Sequence, residues 1–256
     1  MNLRDCYDEV RRLDSNLGID SLEVVKEVSR IRQFWKPETV RVVLLAESHV
    51  FTATEDSTHP WEIRGTIYRG RFVRFVYCLG YGETSLVQSV TPNRGTSQFW
   101  KIFYSCLNQV SSNDNFRSIL HSTPAAERIS NKIELLSRLK RAGVWLMDAS
   151  FVGINHMKNL TMRRRVLQKC WNYTHSVLQD LDPKPEHMIV IGCFVKKALK
   201  EQIDSLGINW TVIPQPQAHL PAPGYRQFYN IYYQICTRSG MPVSANQLEQ
   251  LHGCKE

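Results

Sequence analysis

Thr211-Val212-Ile213-Pro214-Gln215-Pro216-Gln217-Ala218-His219-Leu220-Pro221-Ala222-Pro223-Gly224 decides how the chain folds, because a short apolar run breaks directly into a polar, proline-rich loop. An aromatic helix follows at once. A β-branched run ended by a proline is a strand signal. Three other apolar runs end in the same way: Arg41 to Ala46 stops at Glu47, Val144 to Met147 at Asp148, and Met188 to Ile191 at Gly192. Such uninterrupted apolar strands belong to a sheet covered on both faces.

Helical spacing fills the gaps between these strands. Apolar positions in residues 3 to 35, including Val24, Val25, Val28, Ile31 and Phe34, predict one or two helices, broken at Lys36-Pro37. The spacing of Phe72, Phe75, Val76 and Leu79 predicts a helix ended by Gly80, and Trp100, Phe103, Tyr104 and Leu107 predict another. Glu47 to Arg64 and Ser111 to Ser130 are polar and predict loops. Ile133, Leu136 and Leu139 mark a helix ending near Gly143. Residues 162 to 181 and 194 to 206 predict two more, and Tyr225, Phe228, Tyr229, Tyr232, Tyr233 and Cys236 share the face of a last one.

Strands alternating with helices imply right-handed crossovers. The expected fold class is α/β: a single three-layer α/β/α domain with a central four-stranded, mainly parallel sheet. It spans residues 1–240, with N-terminal helices in 1–36 packed on it and a tail at 241–256. In such sheets ligands bind beyond the carboxyl ends of the strands, so one edge should collect polar side chains from four loops.

The chain has 256 residues, 43% of them hydrophobic and 22% charged, enough for a substantial core. No signal-peptide pattern or membrane-length apolar run is present, which predicts a cytoplasmic protein with no membrane partner. Seven scattered cysteines without a C-x-x-C pair predict neither a disulfide framework nor a metal site, and no cofactor is expected. A formal charge of +8 suits a polyanionic partner such as nucleic acid.

In order, the segments VVLLAESHV, GVWLMDAS, VIGCFVKKAL and VIPQPQAHLPAPGYRQFY resemble four landmarks of the uracil-DNA glycosylase superfamily, over roughly residues 40 to 235. The resemblance implies a monofunctional DNA glycosylase that flips a base out of DNA, hydrolyses its N-glycosidic bond and leaves an abasic site. It implies a DNA partner, no cofactor and a monomer. Four-cysteine iron–sulfur branches exist, but no matching spacing follows Cys6.

The first motif in that superfamily reads G-Q-D-P-Y-H or G-E-x-P-G, and its acid positions the attacking water and steadies the cationic sugar. Glu47 resembles the second form, with Ser48 where the other branch has aspartate. The chemistry needs one anion facing the anomeric carbon. The second motif ends in an asparagine that reads uracil, whereas here Asp148 stands. An ionised carboxylate only accepts hydrogen bonds, which matches the N4 amino group of cytosine. Cytosine N3 is an acceptor too, so either Asp148 or N3 must carry a shared proton. Val50 falls where the uracil enzymes place a tyrosine against C5, leaving room for a C5 substituent unless Phe51 or Trp61 refills it. Together these imply a C5-modified cytosine as substrate, such as the hydroxymethyl or glucosyl forms in phage DNA, and a role in phage defence. Uracil excision in base-excision repair is one alternative. A non-catalytic binder of modified or single-stranded nucleic acid is the other.

Gln215 occupies the place of the histidine that stabilises the departing base, and His219 lies four positions on; either can donate to O2. Trp61 and then Tyr68 are the aromatics nearest the expected base-stacking position. Leu220, Tyr225 or Arg226 could wedge into the vacated stack, with Leu220 preferred. Lys158, Arg163 and Arg164, with Arg165 and Lys169 beside them, could contact phosphates or form a solvated face.

Overall fold

The computed structural model describes residues 2–14, 17–87, 90, 95–215 and 224–237. Its elements in chain order are α1 (Leu3–Arg11), α2 (Leu22–Phe34), β1 (Val42–Ala46), β2 (Pro60–Glu62), β3 (Arg69–Arg71), α3 (Ser97–Leu107), α4 (Ala125–Arg141), β4 (Val144–Asp148), α5 (Leu160–Gln179), β5 (His187–Ile191), α6 (Cys193–Asp204), β6 (Trp210–Ile213) and α7 (Gly224–Thr237). Strands β4, β1, β5 and β6 lie side by side in that order, every pairing parallel. The sheet is thus wholly parallel, and the expected three-layer α/β/α arrangement is present.

Alternation along each strand divides the core into two. Val42 and Leu44 of β1, Val144 and Leu146 of β4, and Ile189 and Ile191 of β5 pack with residues of α2, α3, α4 and α7. Val43 and Leu45, Trp145 and Met147, and Met188 and Val190 point the other way, onto α1, α5 and α6. Both faces exclude water, which is why the strand sequences are apolar throughout. Gly143 ends the α4 segment at φ +74°, and an added Cβ would meet the Thr39 carbonyl at 2.9 Å, so the turn feeding β4 needs glycine. On α7, Phe228, Tyr229, Tyr232 and Cys236 are buried as the spacing predicts.

Residues 72–79 are not the helix their spacing predicts. They form successive tight turns, with Phe75 N–H donating to the Val73 carbonyl and Cys78 N–H to that of Phe75. The apolar side chains are buried, but the backbone of Arg74 is claimed elsewhere: its N–H donates to the Thr52 hydroxyl and its carbonyl accepts from Val50 N–H. A helix needs those groups for itself. The expected loop 47–64 contains β2, which pairs antiparallel with β3 in a small hairpin. Ser111 to Ser130 is likewise shorter as a loop than predicted, holding a 3₁₀ turn at Asn113–Ile119 and the start of α4. No helix among the described residues is long and apolar enough to cross a membrane. The tail at 241–256 lies outside the described residues.

Candidate active site

Strands β1 and β4 are direct neighbours in register, with Ala46 opposite Asp148. The ladder continues past the strand ends, since Ala149 N–H donates to the Ala46 carbonyl and Ser150 N–H to that of Glu47. That register brings Glu47 and Asp148, about a hundred residues apart in sequence, to the same edge of the sheet. Both line one cavity of about 350 Å³, together with His49, Phe75, Asn155 and Gln215. The volume falls within the range of small-ligand sites, roughly 300–1,000 Å³.

Asp148 shares a strand face with Val144 and Leu146, the face turned toward α2. There the Nη2 of Arg32 donates to Asp148 Oδ2 in an ion pair almost without solvent exposure on either side. The Arg32 guanidinium also lies over the Phe75 ring, 4.9 Å from its centroid. His49 completes the group, with Nδ1 3.7 Å from Asp148 Oδ2 and Nε2 3.3 Å from Asp20 Oδ2. These are close ionic contacts without hydrogen-bond alignment. Asp20, in the segment between α1 and α2, accepts from Thr52 N–H at 2.7 Å and from Gly153 N–H. It therefore ties the loop after β1 to the loop after β4. The two backbones approach so closely that a Cβ on Gly153 would lie 2.5 Å from Phe51 N, which excludes any larger residue there.

Burial opposes the charge on His49, but the carboxylates of Asp20 and Asp148 outweigh it and raise the imidazole from 6.5 to about 9. Burial likewise opposes the Asp20 anion, and His49 with the two backbone N–H groups overcomes it, holding that carboxyl below its ordinary value. A histidine whose folded value is raised adds stability in full below about 6.5 and loses it as the pH climbs through about 9. The rise corresponds to roughly 3–4 kcal/mol at most. Over that window the unfolding temperature of the native chain should fall further than that of His49→Gln. Parallel curves for the two proteins would show that His49 is not the titrating group.

Glu47 is held from the other side of the cavity. Arg163, near the start of α5, grips both of its oxygens, with Nη2 2.6 Å from Oε2, and its guanidinium stacks 5.0 Å from the centre of Phe194. A carboxylate offers about four lone-pair positions, so the fork leaves Glu47 two with which to accept from water.

No family model, curated protein or solved structure matches this chain. The site must be read from its own residues.

Of the residues singled out from sequence, Glu47, Ser48, Val50, Asp148, Arg163 and Gln215 all line the cavity. Ser48 serves mainly as a loop tie, its hydroxyl accepting from Ile154 N–H. Val50 meets the cavity unobstructed by Phe51, which packs on the His156 ring, or by Trp61. Three expectations fail. Trp61 and Tyr68 are core aromatics, 2% and 4% exposed, in contact with each other and not with the cavity; the Trp61 indole donates to the Arg71 carbonyl and Tyr68 stacks on Phe34. Hairpin β2–β3 carries both away from the sheet edge, and Phe75 supplies the aromatic wall instead. Arg163 is committed to Glu47 and is not an open phosphate contact.

Lys158 and Arg226 are exposed, and Arg164 lies in a separate cleft between α5 and α6, donating to the Lys197 carbonyl. His219 and Leu220 lie outside the described residues, as does the side chain of Tyr225. Among the described residues no group of three or more His, Cys, Asp or Glu is placed to hold a metal. Sequence reasoning missed Asp20, Arg32, His49 and Phe75. His49 had one signal, its place two residues after Glu47.

Proposed function

We propose that the protein is a monofunctional DNA glycosylase acting on a flipped-out base, with a C5-modified cytosine as substrate and phage DNA as its source. The observation that carries this reading is the convergence of Glu47 and Asp148 on one pyrimidine-sized cavity walled by Phe75. An extruded base would stack against Phe75, present its amino group to Asp148 and direct C5 toward Val50. Gln215, exposed at the cavity rim, can donate its amide to O2. As the C1′–N1 bond breaks, its electron pair passes to the base and positive charge develops on the sugar, which Glu47 stabilises. Water adds at C1′ and gives a proton to Glu47, and the base leaves, stabilised at O2. The cost of extruding the base, a few kcal/mol, is met by stacking and pairing within the pocket.

The test is a mass-spectrometric search for free bases released from genomic DNAs, including phage DNA rich in modified cytosine, followed by alkali. Released modified cytosine with alkali-labile breaks at those positions supports the reading. Release of uracil alone points to base-excision repair. No release from any DNA overturns it. The Glu47–Arg163 pair favours a second reading, a non-catalytic binder of modified or single-stranded nucleic acid, because both oxygens of Glu47 are already engaged. Tight binding with no released base would establish that one.

A further inference from the structure

Asp148 is not a free carboxylate. Its Oδ2 receives the Arg32 guanidinium and faces His49 Nδ1 at 3.7 Å, and His49 is itself fixed by Asp20 on its other side. Two cations and two anions thus alternate through the buried wall, Arg32, Asp148, His49, Asp20, with no net charge. The other charged groups facing this cavity are Glu47 and Arg163, which neutralise one another, and Arg74, which is paired with Asp56. Oδ1 is the oxygen left for a ligand. The guanidinium on Oδ2 is a charge-assisted contact to a carboxylate, so Oδ1 meets a ligand as an acceptor.

We propose that Arg32 and His49 are specificity-determining residues that fix Asp148 as an acceptor-only contact, so that the cavity selects a base edge bringing donors: the amino group and N3–H of a cytosine-type ring protonated at N3. The inference rests on reading the cavity as a base pocket and names the protonation state of what enters it. The proton comes from solvent with the base. When the C1′–N1 bond breaks, its electron pair flows into a ring that already carries that proton, and the base departs neutral. Water again adds at C1′ and passes its proton to Glu47. A leaving group protonated beforehand has less need of a strong acid at the rim, which accords with glutamine at position 215. Uracil fares worse, because its O4 carbonyl would face Oδ1 with no hydrogen between them.

The experiment compares excision of 5-hydroxymethylcytosine and of uracil, each placed at the same position of one short oligonucleotide. The native chain should favour the cytosine-type base. His49→Gln removes one of the two cations that hold the carboxylate and puts an amide beside it, leaving only Arg32 to fix its orientation, and should lower that preference about tenfold, equivalent to about 1.4 kcal/mol. Asp20→Asn, which releases His49 without touching Asp148, should act in the same direction and serves if His49→Gln fails to fold. Arg32→Lys keeps the cation and should retain most of the preference. An unchanged ratio in both His49→Gln and Asp20→Asn, alongside a shifted ratio in Asp148→Asn, overturns the proposal. So does a native preference for uracil. If no base is released, the same ratio is read as binding affinity: a preference that these variants erase keeps the proposal and removes only the hydrolase reading, whereas equal affinity removes the proposal.

Discussion

Glu47→Gln should lower base release by about a hundred- to a thousandfold, the loss that follows removal of one preorganised charge from a transition state. The amide keeps the size of the carboxylate and can still accept one hydrogen bond from Arg163, so the cavity should keep its shape. What disappears is the anion that the proposed mechanism sets toward the sugar, and with it the capacity to take the water's proton. Oligonucleotide affinity should change little, since Glu47 repels phosphates if it affects them at all. Single-turnover release and equilibrium binding, measured on the same variant, separate the two. Undiminished turnover would remove Glu47 from its role and leave the cavity without a base.

Arg32→Leu should cost about 3–5 kcal/mol of folding stability, because it strands the Asp148 anion beside a cavity wall with only His49 for compensation. A domain of this size is stable by roughly 5–15 kcal/mol in total, so the variant should be close to unfolding under mild conditions. Phe75 loses the cation over its ring, and the leucine cannot restore it. Adding Asp148→Leu should recover most of the loss, since a buried pair replaced by apolar residues is often neutral in stability. Denaturant titration of both single variants and the double variant reads the coupling directly. Independent, additive costs would mean that the ion pair contributes nothing.

Most of the architecture was legible because strands and helices announce themselves by local period. The four sheet strands need no information beyond their own apolar runs, and β4 ends at Asp148 for the same reason that its sequence turns polar there. The failure at 72–79 has a physical cause: the helical spacing of Phe72, Phe75, Val76 and Leu79 buries the right side chains, yet Val50 and Thr52 take the backbone groups of Arg74. No local window contains that competition. Hairpin β2–β3 was invisible for the related reason that its strands are three residues each and exposed at four of their six positions.

Half of the site was legible, the half that lies at strand ends. Glu47, Asp148 and Gln215 follow from one rule about parallel sheets. Arg32 lies 116 residues before Asp148, and nothing in a helix with apolar spacing marks one arginine as turned inward. Phe75 was counted as helical core, and became a cavity wall only because its segment turns instead of coiling.

The anchoring of Asp20 reaches beyond the pocket. A fragment beginning at Val42 would keep every strand of the sheet, yet lose the carboxylate that joins Thr52 to Gly153 and the guanidinium that faces Asp148. Trimming the leading helices would therefore do two kinds of damage at once: it bares the parts of both sheet faces that α1 and α2 cover, and it lets the two upper loops drift apart, so the segment before β1 belongs to the pocket as much as to the core.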